Sequence, residues 1–334
     1  MNIYDIANLA GVSIATVSRV VNDSPRVSEK TKQKVRVVME ENHYTPNVFA
    51  RGLGLDSMKT IGIVCPDVAD AYMASAVSYL ERGLKEYGYD CILYCSGNEY
   101  ENKKKSIELI REKRIDALVL VGSSYAGTGE FQEETDYIKE AAEKIPVFLL
   151  NGKIDGENIY NIYGMDYQAA YDSVSAMIDA GFKKVLFLCD SHSYSANQKL
   201  LGYEDALKAH ALPVLGQLKV YTKNQVESVR NILLSRRDLD FDAVLATDDG
   251  LAVGALKYAN ARKLDIPGEI NIIGYNNSEL AICCEPELSS IDNVPRAICS
   301  KAIEYMMKVL QGDRDVPKNT ELQCKLVKRC TTSF

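Results

Sequence analysis

The sequence predicts a small all-α helix-turn-helix headpiece followed by an α/β core of two doubly wound parallel-sheet lobes. Three observations predict it. Residues 1–45 carry apolar residues at helical spacing, interrupted at Gly11. From Lys59 the pattern changes to short β-rich runs alternating with amphipathic stretches. About ten such strands in the remainder of a 334-residue chain suit two similar lobes better than one sheet.

The first helix runs from about Ile3 to Ala10 with Ile6, Leu9 and Ala10 on one face, and Gly11 breaks it. Ser13 is a fitting N-cap for a second helix whose Val17, Val20 and Val21 point inward. Helix, glycine-containing turn and helix at this spacing form a helix-turn-helix. The other face of the second helix carries Ile14, Ala15, Ser18 and Arg19, and an isoleucine and an alanine are poor choices for a face left to water. Ser28 caps a third helix through about Asn42, packing Val35, Val38 and Met39. In "HYTPNVFARGLGLDS", Pro46 ends one element and Asn47 is placed to cap a short helix. Gly52 and Gly54 each cost that helix about 1 kcal/mol of propensity, which predicts a hinge that folds only with support.

The strand runs of the core are "TIGIVCP", "DCILYC", "ALVLVG", "VFLLN", "VLFLCD", "AVLAT" and "INIIGY". Amphipathic stretches at Ala74–Tyr87, Lys103–Lys113, Tyr167–Ala180 and Leu251–Lys263 separate many of them. That alternation makes parallel sheets with helices on both faces. The basic run "ENKKKSIELIREKR" reads as a solvated helix face.

Charge and cysteines narrow the function. The chain has a net charge of −7, distributed as +2 over residues 1–59 and −9 over the rest. A basic-leaning head on an acidic body suits a modular protein whose head meets a polyanion. No apolar run approaches the roughly 18 residues of a membrane span, and Asp5 stands where an export signal is cationic and then apolar. The expectation is a cytoplasmic protein with no membrane association. Nine scattered cysteines and only three histidines give no metal-ligand spacing, so buried, reduced thiols are expected and no cofactor or metal site. Cys283–Cys284 has nothing nearby in sequence that would lower a thiol pKa. "GSSYAGTG" lacks the Lys and Ser/Thr of a phosphate loop, and no nucleophile elbow or paired catalytic motif occurs. Asp248–Asp249, closing the strand "AVLAT", occupies a ligand-binding position of open α/β sheets and reads as a binding group rather than an acid/base pair.

The stretches "IYDIANLAGVSIATVSRVVND", "VSEKTKQKV", "YTPNVFARGL", "TIGIVCPD" and "LVKRCTT" occur in order along the chain. Together they resemble the lactose/galactose repressor family of bacterial transcription factors, with a headpiece closest to the catabolite-control and galactose-repressor type. The resemblance implies a DNA-binding headpiece (1–46), a hinge helix (47–58) and an effector-binding and dimerisation core (59–334) like a type I periplasmic binding protein. Its lobes are expected at 60–161 plus 292–322 and at 162–291 plus 323–334. On the recognition helix, Ile14, Ala15 and Arg19 match the family's base-reading positions. An arginine fork suits a guanine edge, and small apolar groups suit a thymine methyl. Ser13, Thr16, Ser18 and Asn22 suit phosphate contacts, Asn47 joins them from the hinge, and Leu53 matches a leucine wedged into the minor groove.

The positions matching the family's effector cleft are Tyr72, Met73, Ser123, Asn151, Gly164, Lys199, Asp248 and Asn276. Two depart from it: Lys199 stands where the family has Arg, and Asn276 where it has Asp. Lysine is a point charge without a planar fork, so the expected effector is a small molecule, a sugar or another polar metabolite, including an anionic one. Gly164 offers no aromatic wall, a role left to Tyr72 and Tyr163. The resemblance further implies a homodimer, expected because the chain stops at Phe334 without the leucine-heptad tail of tetrameric members. Its operator would be double-stranded and pseudo-palindromic, of the form TGNAANCGNTTNCA. Two alternatives stay open: a regulator controlled by a partner protein instead of a small molecule, and a solute-binding protein.

Overall fold

The computed structural model describes residues 1–21, 23–44, 57–128 and 132–334. They form two compact units, Met1–Thr60 and Ile61–Phe334.

In the first unit, helix α1 (Ile3–Ala10) opens on a capping box. The Asn2 side-chain oxygen accepts from the Tyr4 and Asp5 N–H groups, and the Asp5 carboxylate accepts from the Asn2 N–H at 2.8 Å. Gly11 ends the helix at φ +60°, a left-handed conformation that glycine adopts without steric cost. Helix α2 (Ile14–Val21) starts where Ser13 Oγ accepts from the Thr16 N–H at 3.1 Å, and α3 (Glu29–Glu41) where Ser28 does the same for Thr31. Ile6, Ala7, Ala10, Val17, Val20 and Val35 form the core. Leu9, expected inside, is 57% exposed. At about 100° per residue, Ile6, Ala7 and Ala10 share one arc and Leu9 falls outside it. Lys32 is buried with its ammonium between Asp23 (2.9 Å) and Glu29 (3.0 Å), tying α3 to the turn before it.

The second unit contains two six-stranded sheets. The first holds β1 (Thr60–Cys65), β2 (Asp90–Cys95), β3 (Ala117–Val121), β4 (Val147–Leu150), β5 (Ile159–Gly164) and β11 (Asn319–Leu322), ordered β11-β5-β4-β3-β1-β2. The second holds β6 (Val185–Cys189), β7 (Lys219–Tyr221), β8 (Ala243–Ala246), β9 (Asn271–Tyr275), β10 (Ser289–Asp292) and β12 (Lys325–Val327), ordered β12-β10-β9-β8-β6-β7. Parallel pairing joins β1–β3–β4–β5–β11 and β7–β6–β8–β9–β10, and β12 runs antiparallel to its neighbour β10. The edge strands β7, β11 and β12, of three and four residues, are too short for a periodic signal, and the count exceeds the expected ten or so for that reason.

Helices cover both faces of each sheet. On the first, α4 (Ala71–Glu86) and α12 (Pro295–Leu310) bury Leu80, Leu84 and Met306 against Ile61, Phe148 and Tyr160. On its other face, α5 (Tyr100–Arg111) and α6 (Asp136–Ala142) bury Ile107, Ile110 and Ile138 against Val64 and Leu120. The second sheet is enclosed by α7 (Asp166–Asp179) and α8 (Tyr194–Ala209) on one side. On the other lie α9 (Val226–Ser235), α10 (Asp249–Arg262) and the short α11 (Glu279–Cys283). The chain crosses between lobes after β5, after β10 and after β11. Near the first crossing a Cβ on Gly164 would lie 2.7 Å from Cys324 Sγ, so glycine lets the first and third crossings pack closely.

Two expectations need correction here. All nine cysteines are unpaired, but only Cys65, Cys189, Cys299 and Cys324 are buried; Cys95, Cys283 and Cys330 are exposed. The "DCILYC" strand lies at a sheet edge, where alternate residues face water. The basic run on α5 is not wholly solvated either: Lys103 is buried and donates to the Ser124 carbonyl at 2.7 Å. Burial there lowers its pKa, against the opposing pull of Glu134 and Glu99.

Candidate nucleic-acid interface and ligand cleft

The exposed side of α2 carries the residues singled out for DNA. Val17 and Val20 turn inward, which leaves Ser13, Ile14, Ala15 and Arg19 exposed and Thr16 and Ser18 half-buried. Ile14 is 41% exposed, a cost to the isolated headpiece that burial against another surface would recover. Among the described residues the Arg19 guanidinium has no hydrogen bond or ion pair, whereas Lys32 and Arg36 are engaged by Asp23. Asn22, Asn47 and Leu53 lie outside the described residues.

In the core, Tyr72, Met73, Ser123, Asn151, Lys199, Asp248 and Asn276 come from six separate stretches and all line one deep cavity of about 130 Å³. Sheet geometry explains the convergence: Ser123, Asn151, Asp248 and Asn276 follow the ends of β3, β4, β8 and β9, where parallel strands deliver ligand-facing loops. Asn151 and Asn276 hold positive φ (62° and 92°), a conformation asparagine tolerates better than most side chains. Asp248 caps α10, accepting from the Gly250 N–H at 2.7 Å, and its second oxygen accepts from Asn276 Nδ2 at 2.7 Å. Asn276 Oδ1 in turn accepts from Asn293 Nδ2 at 2.9 Å, in the second crossing. The Lys199 ammonium lies 3.7 Å from the centroid of the Tyr275 ring and donates to the Thr247 carbonyl at 3.3 Å. The Tyr275 hydroxyl donates to Asp166, which also accepts from Ser195 Oγ.

Gly164 and Tyr163 do not line this cavity. Gly164 faces Cys324, and the Tyr163 hydroxyl donates to Glu321 at 3.0 Å, so neither supplies or replaces an aromatic wall. Asp248 and Asp249 have separate roles. Asp249 is 1% exposed and accepts from the Ser278 N–H, Ser278 Oγ and Ser290 Oγ, and burial raises its pKa to about 6.

Ten further residues line the cavity, among them Asp70, Asp190, Asn224, Thr247 and Asn293, which carry no mark in the sequence reading. Asp190 follows β6 as Asp248 closes β8, so the strand-end rule applied to every strand finds it. Seven buried side-chain oxygens in the described residues have no hydrogen-bond partner, and five of them (on Tyr72, Asn151, Asn224, Thr247 and Asn293) belong to this cavity's lining. Buried polar atoms are nearly always satisfied, so five orphans around one hole mark a place built for a polar guest. A wider chamber of about 1030 Å³ opens outward from it, lined by Tyr100, Lys103, Glu134, His192 and Leu280 among others. The lobes touch beside it, Ser123 Oγ donating to Ser193 Oγ at 2.9 Å and Asn197 Nδ2 to the Thr128 carbonyl at 3.0 Å.

Comparison with known proteins matches two stretches of the chain. The family described as bacterial regulatory proteins, lacI family, matches residues 2–47, and the periplasmic binding protein-like domain matches residues 174–332. An HTH-type transcriptional regulator of Lachnoclostridium phytofermentans is 48% identical over all of both chains. Catabolite control protein A of Priestia megaterium is 32% identical over 94% of this chain and 93% of its own. The lac repressor dimer bound to operator and the anti-inducer ONPF superposes with a TM-score of 0.87 at 24% identity, covering 99% of each chain. Among the described residues, no helix is long and apolar enough to cross a membrane.

Proposed function

Because the chain belongs to the lacI family of bacterial regulatory proteins, as a helix-turn-helix transcriptional regulator and not an enzyme, we propose how it works. It binds a pseudo-palindromic operator as a homodimer and answers to a small polar effector held between the lobes of its core. Residues 1–46 are the DNA-binding headpiece, 47–58 the hinge and 59–334 the effector-binding core. Arg19, Ile14 and Ala15 read bases, Ser13, Thr16, Ser18, Asn22 and Asn47 set register on phosphates, and paired Leu53 side chains open a central CG step.

One observation carries the effector half of this reading: the five unpartnered buried oxygens around the cavity that also holds Lys199, Asp248 and Asn276. A surface that answered only to a partner protein would have no use for them. The experiment is a thermal-shift screen of the full chain against sugars and other polar metabolites, repeated with Lys199→Ala. A hit whose shift survives unchanged in that variant removes the cleft from consideration. Sedimentation velocity of the free protein tests the homodimer, and a stable tetramer overturns it.

A further inference from the structure

Beyond its orphaned oxygens, the cavity has an unusual charge pattern. Asp70, Asp190 and Asp248 share its lining with a single cation, Lys199. All three carboxylates line the same cavity, so they face one guest. Asp70 and Asp248 are engaged as N-caps of α4 and α10, accepting from the Met73 N–H at 3.0 Å and the Gly250 N–H at 2.7 Å. That use of the two helix termini removes the positive ends that would have welcomed an anion. Asp190 caps nothing and is exposed to the cleft. Its carboxyl is pushed up by the enclosing protein and by the charges of Asp248 and Asp70, with Lys199 opposing. Lys199 is already committed to the Tyr275 ring and the Thr247 carbonyl. In the outer chamber, Lys103 is likewise tied to the Ser124 carbonyl and shares the lining with Asp67 and Glu134.

The unpartnered atoms point the same way. Asn151, Thr247 and Asn293 are 7%, 6% and 2% exposed; of the five unpartnered atoms, those on Asn151, Asn224 and Asn293 are amide oxygens, which can only accept, and those on Tyr72 and Thr247 are hydroxyls, which accept or donate. A phosphate ester or carboxylate brings acceptors to acceptors and negative charge to three carboxylates. A guest rich in N–H and O–H donors with a positive charge satisfies both.

Resting on the reading of this cleft as an effector site, we propose that the effector is a polyhydroxylated molecule bearing a protonated amine, of the amino-sugar class. Its ammonium sits against Asp190 and Asp248, and its hydroxyls donate to Asn151 and Asn293. The anionic guest that the sequence left open does not fit these walls.

The test is calorimetric titration of the full-length protein, and of Asp190→Asn, with D-glucosamine, D-galactosamine and D-mannosamine. Each is compared with its parent hexose, its N-acetyl derivative and glucose 6-phosphate. The expected result is that at least one amine binds tenfold or more tighter than its parent sugar and N-acetyl form. In Asp190→Asn that preference should fall below threefold while the melting temperature of the unliganded protein stays within a few degrees. Parent or N-acetyl sugars binding as tightly as the amines overturn the amine assignment and leave the effector cleft standing, and so does tighter binding of the phosphate ester. A preference that persists in Asp190→Asn overturns the placement of the ammonium. If no member of the panel binds a protein that still binds DNA, the amino-sugar proposal falls, and the metabolite screen then decides the cleft itself.

Discussion

At the scale of single residues, exposure and partners separate side chains that work at a distance from those that hold the fold. Arg19 and Arg36 are both exposed arginines of the headpiece, but Arg36 pairs with Asp23 at 2.8 Å and Arg19 has no partner among the described residues. Arg19→Ala should therefore leave the melting temperature nearly unchanged. It should cost about 1–3 kcal/mol on a TGNAANCGNTTNCA site and little on random DNA, because only a base contact is lost. Fluorescence anisotropy on both DNAs checks it, and an equal loss on both would make Arg19 a phosphate contact. Asp249 is the opposite case, a buried carboxylate whose pKa rises from 3.8 to about 6 through burial and the nearby Asp248 charge, despite the hydrogen bonds of Ser278 and Ser290. Below about pH 4 both folded and unfolded forms hold the proton and the group costs nothing. Between pH 4 and 6 the unfolded form has ionised and the folded form has not, so stability falls as pH rises; above pH 6 the loss is complete. The whole effect is on the order of 2–3 kcal/mol. Asp249→Asn keeps the shape and escapes it, so its stability relative to the parent should rise by about 2 kcal/mol from pH 4.5 to 7.5. Urea unfolding at both pH values measures this, and a pH-independent difference would mean that Asp249 does not titrate in that window.

At the scale of elements, what the sequence made legible follows from the range over which each signal acts. Caps and breakers are local, so Gly11, Ser13 and Ser28 place the headpiece helices to within a residue or two. The alternation of strands and helices is a property of ten to thirty residues, and it predicts the doubly wound lobes. Edge strands of three or four residues are too short to carry a period, and Leu9 was misplaced because an eight-residue helix fits more than one apolar arc. Most of the cleft was legible only where a resemblance pointed to it; the strand-end rule reaches Asp248 and Asp190, whereas Asp70 and Asn293 converge through tertiary packing that leaves no pattern in the chain. Packing between α7 and α8 makes a further demand that periodicity does not show. A Cβ on Gly202 would lie 2.2 Å from the Tyr167 carbonyl oxygen and 3.0 Å from the Tyr171 nitrogen, both backbone atoms that cannot swing aside. Gly202→Ala gains helix propensity of about 1 kcal/mol, but it must push two helices apart. The net effect should be a destabilisation of about 1–3 kcal/mol, read from the urea midpoint. A stabilised variant would show that the two helices can separate freely.

At the scale of the whole core, two lobes with their own hydrophobic cores are joined by three short crossings, so anything that changes the packing of the crossings acts on the relation between the lobes. The first crossing leaves β5 at Gly164 and the third passes Cys324, and a side chain on Gly164 would stand 2.7 Å from the Cys324 sulfur. Cys324 is itself buried and packs with the core around Tyr203 and Tyr275. Gly164→Ala should therefore be destabilising through one identifiable overlap, and Cys324→Ala should cost a smaller amount by leaving a gap. If the overlap is the cause, the two changes do not add: the alanine methyl at 164 occupies the space that the sulfur vacates, and the double variant should be more stable than Gly164→Ala alone. The coupling expected for such contacting residues is about 1–2 kcal/mol. Urea unfolding of the parent, the two single variants and the double variant supplies all four corners of the cycle. Additive losses would mean that strain at Gly164 is absorbed elsewhere, by Asp166 or the backbone, and that the first and third crossings are not packed as one unit.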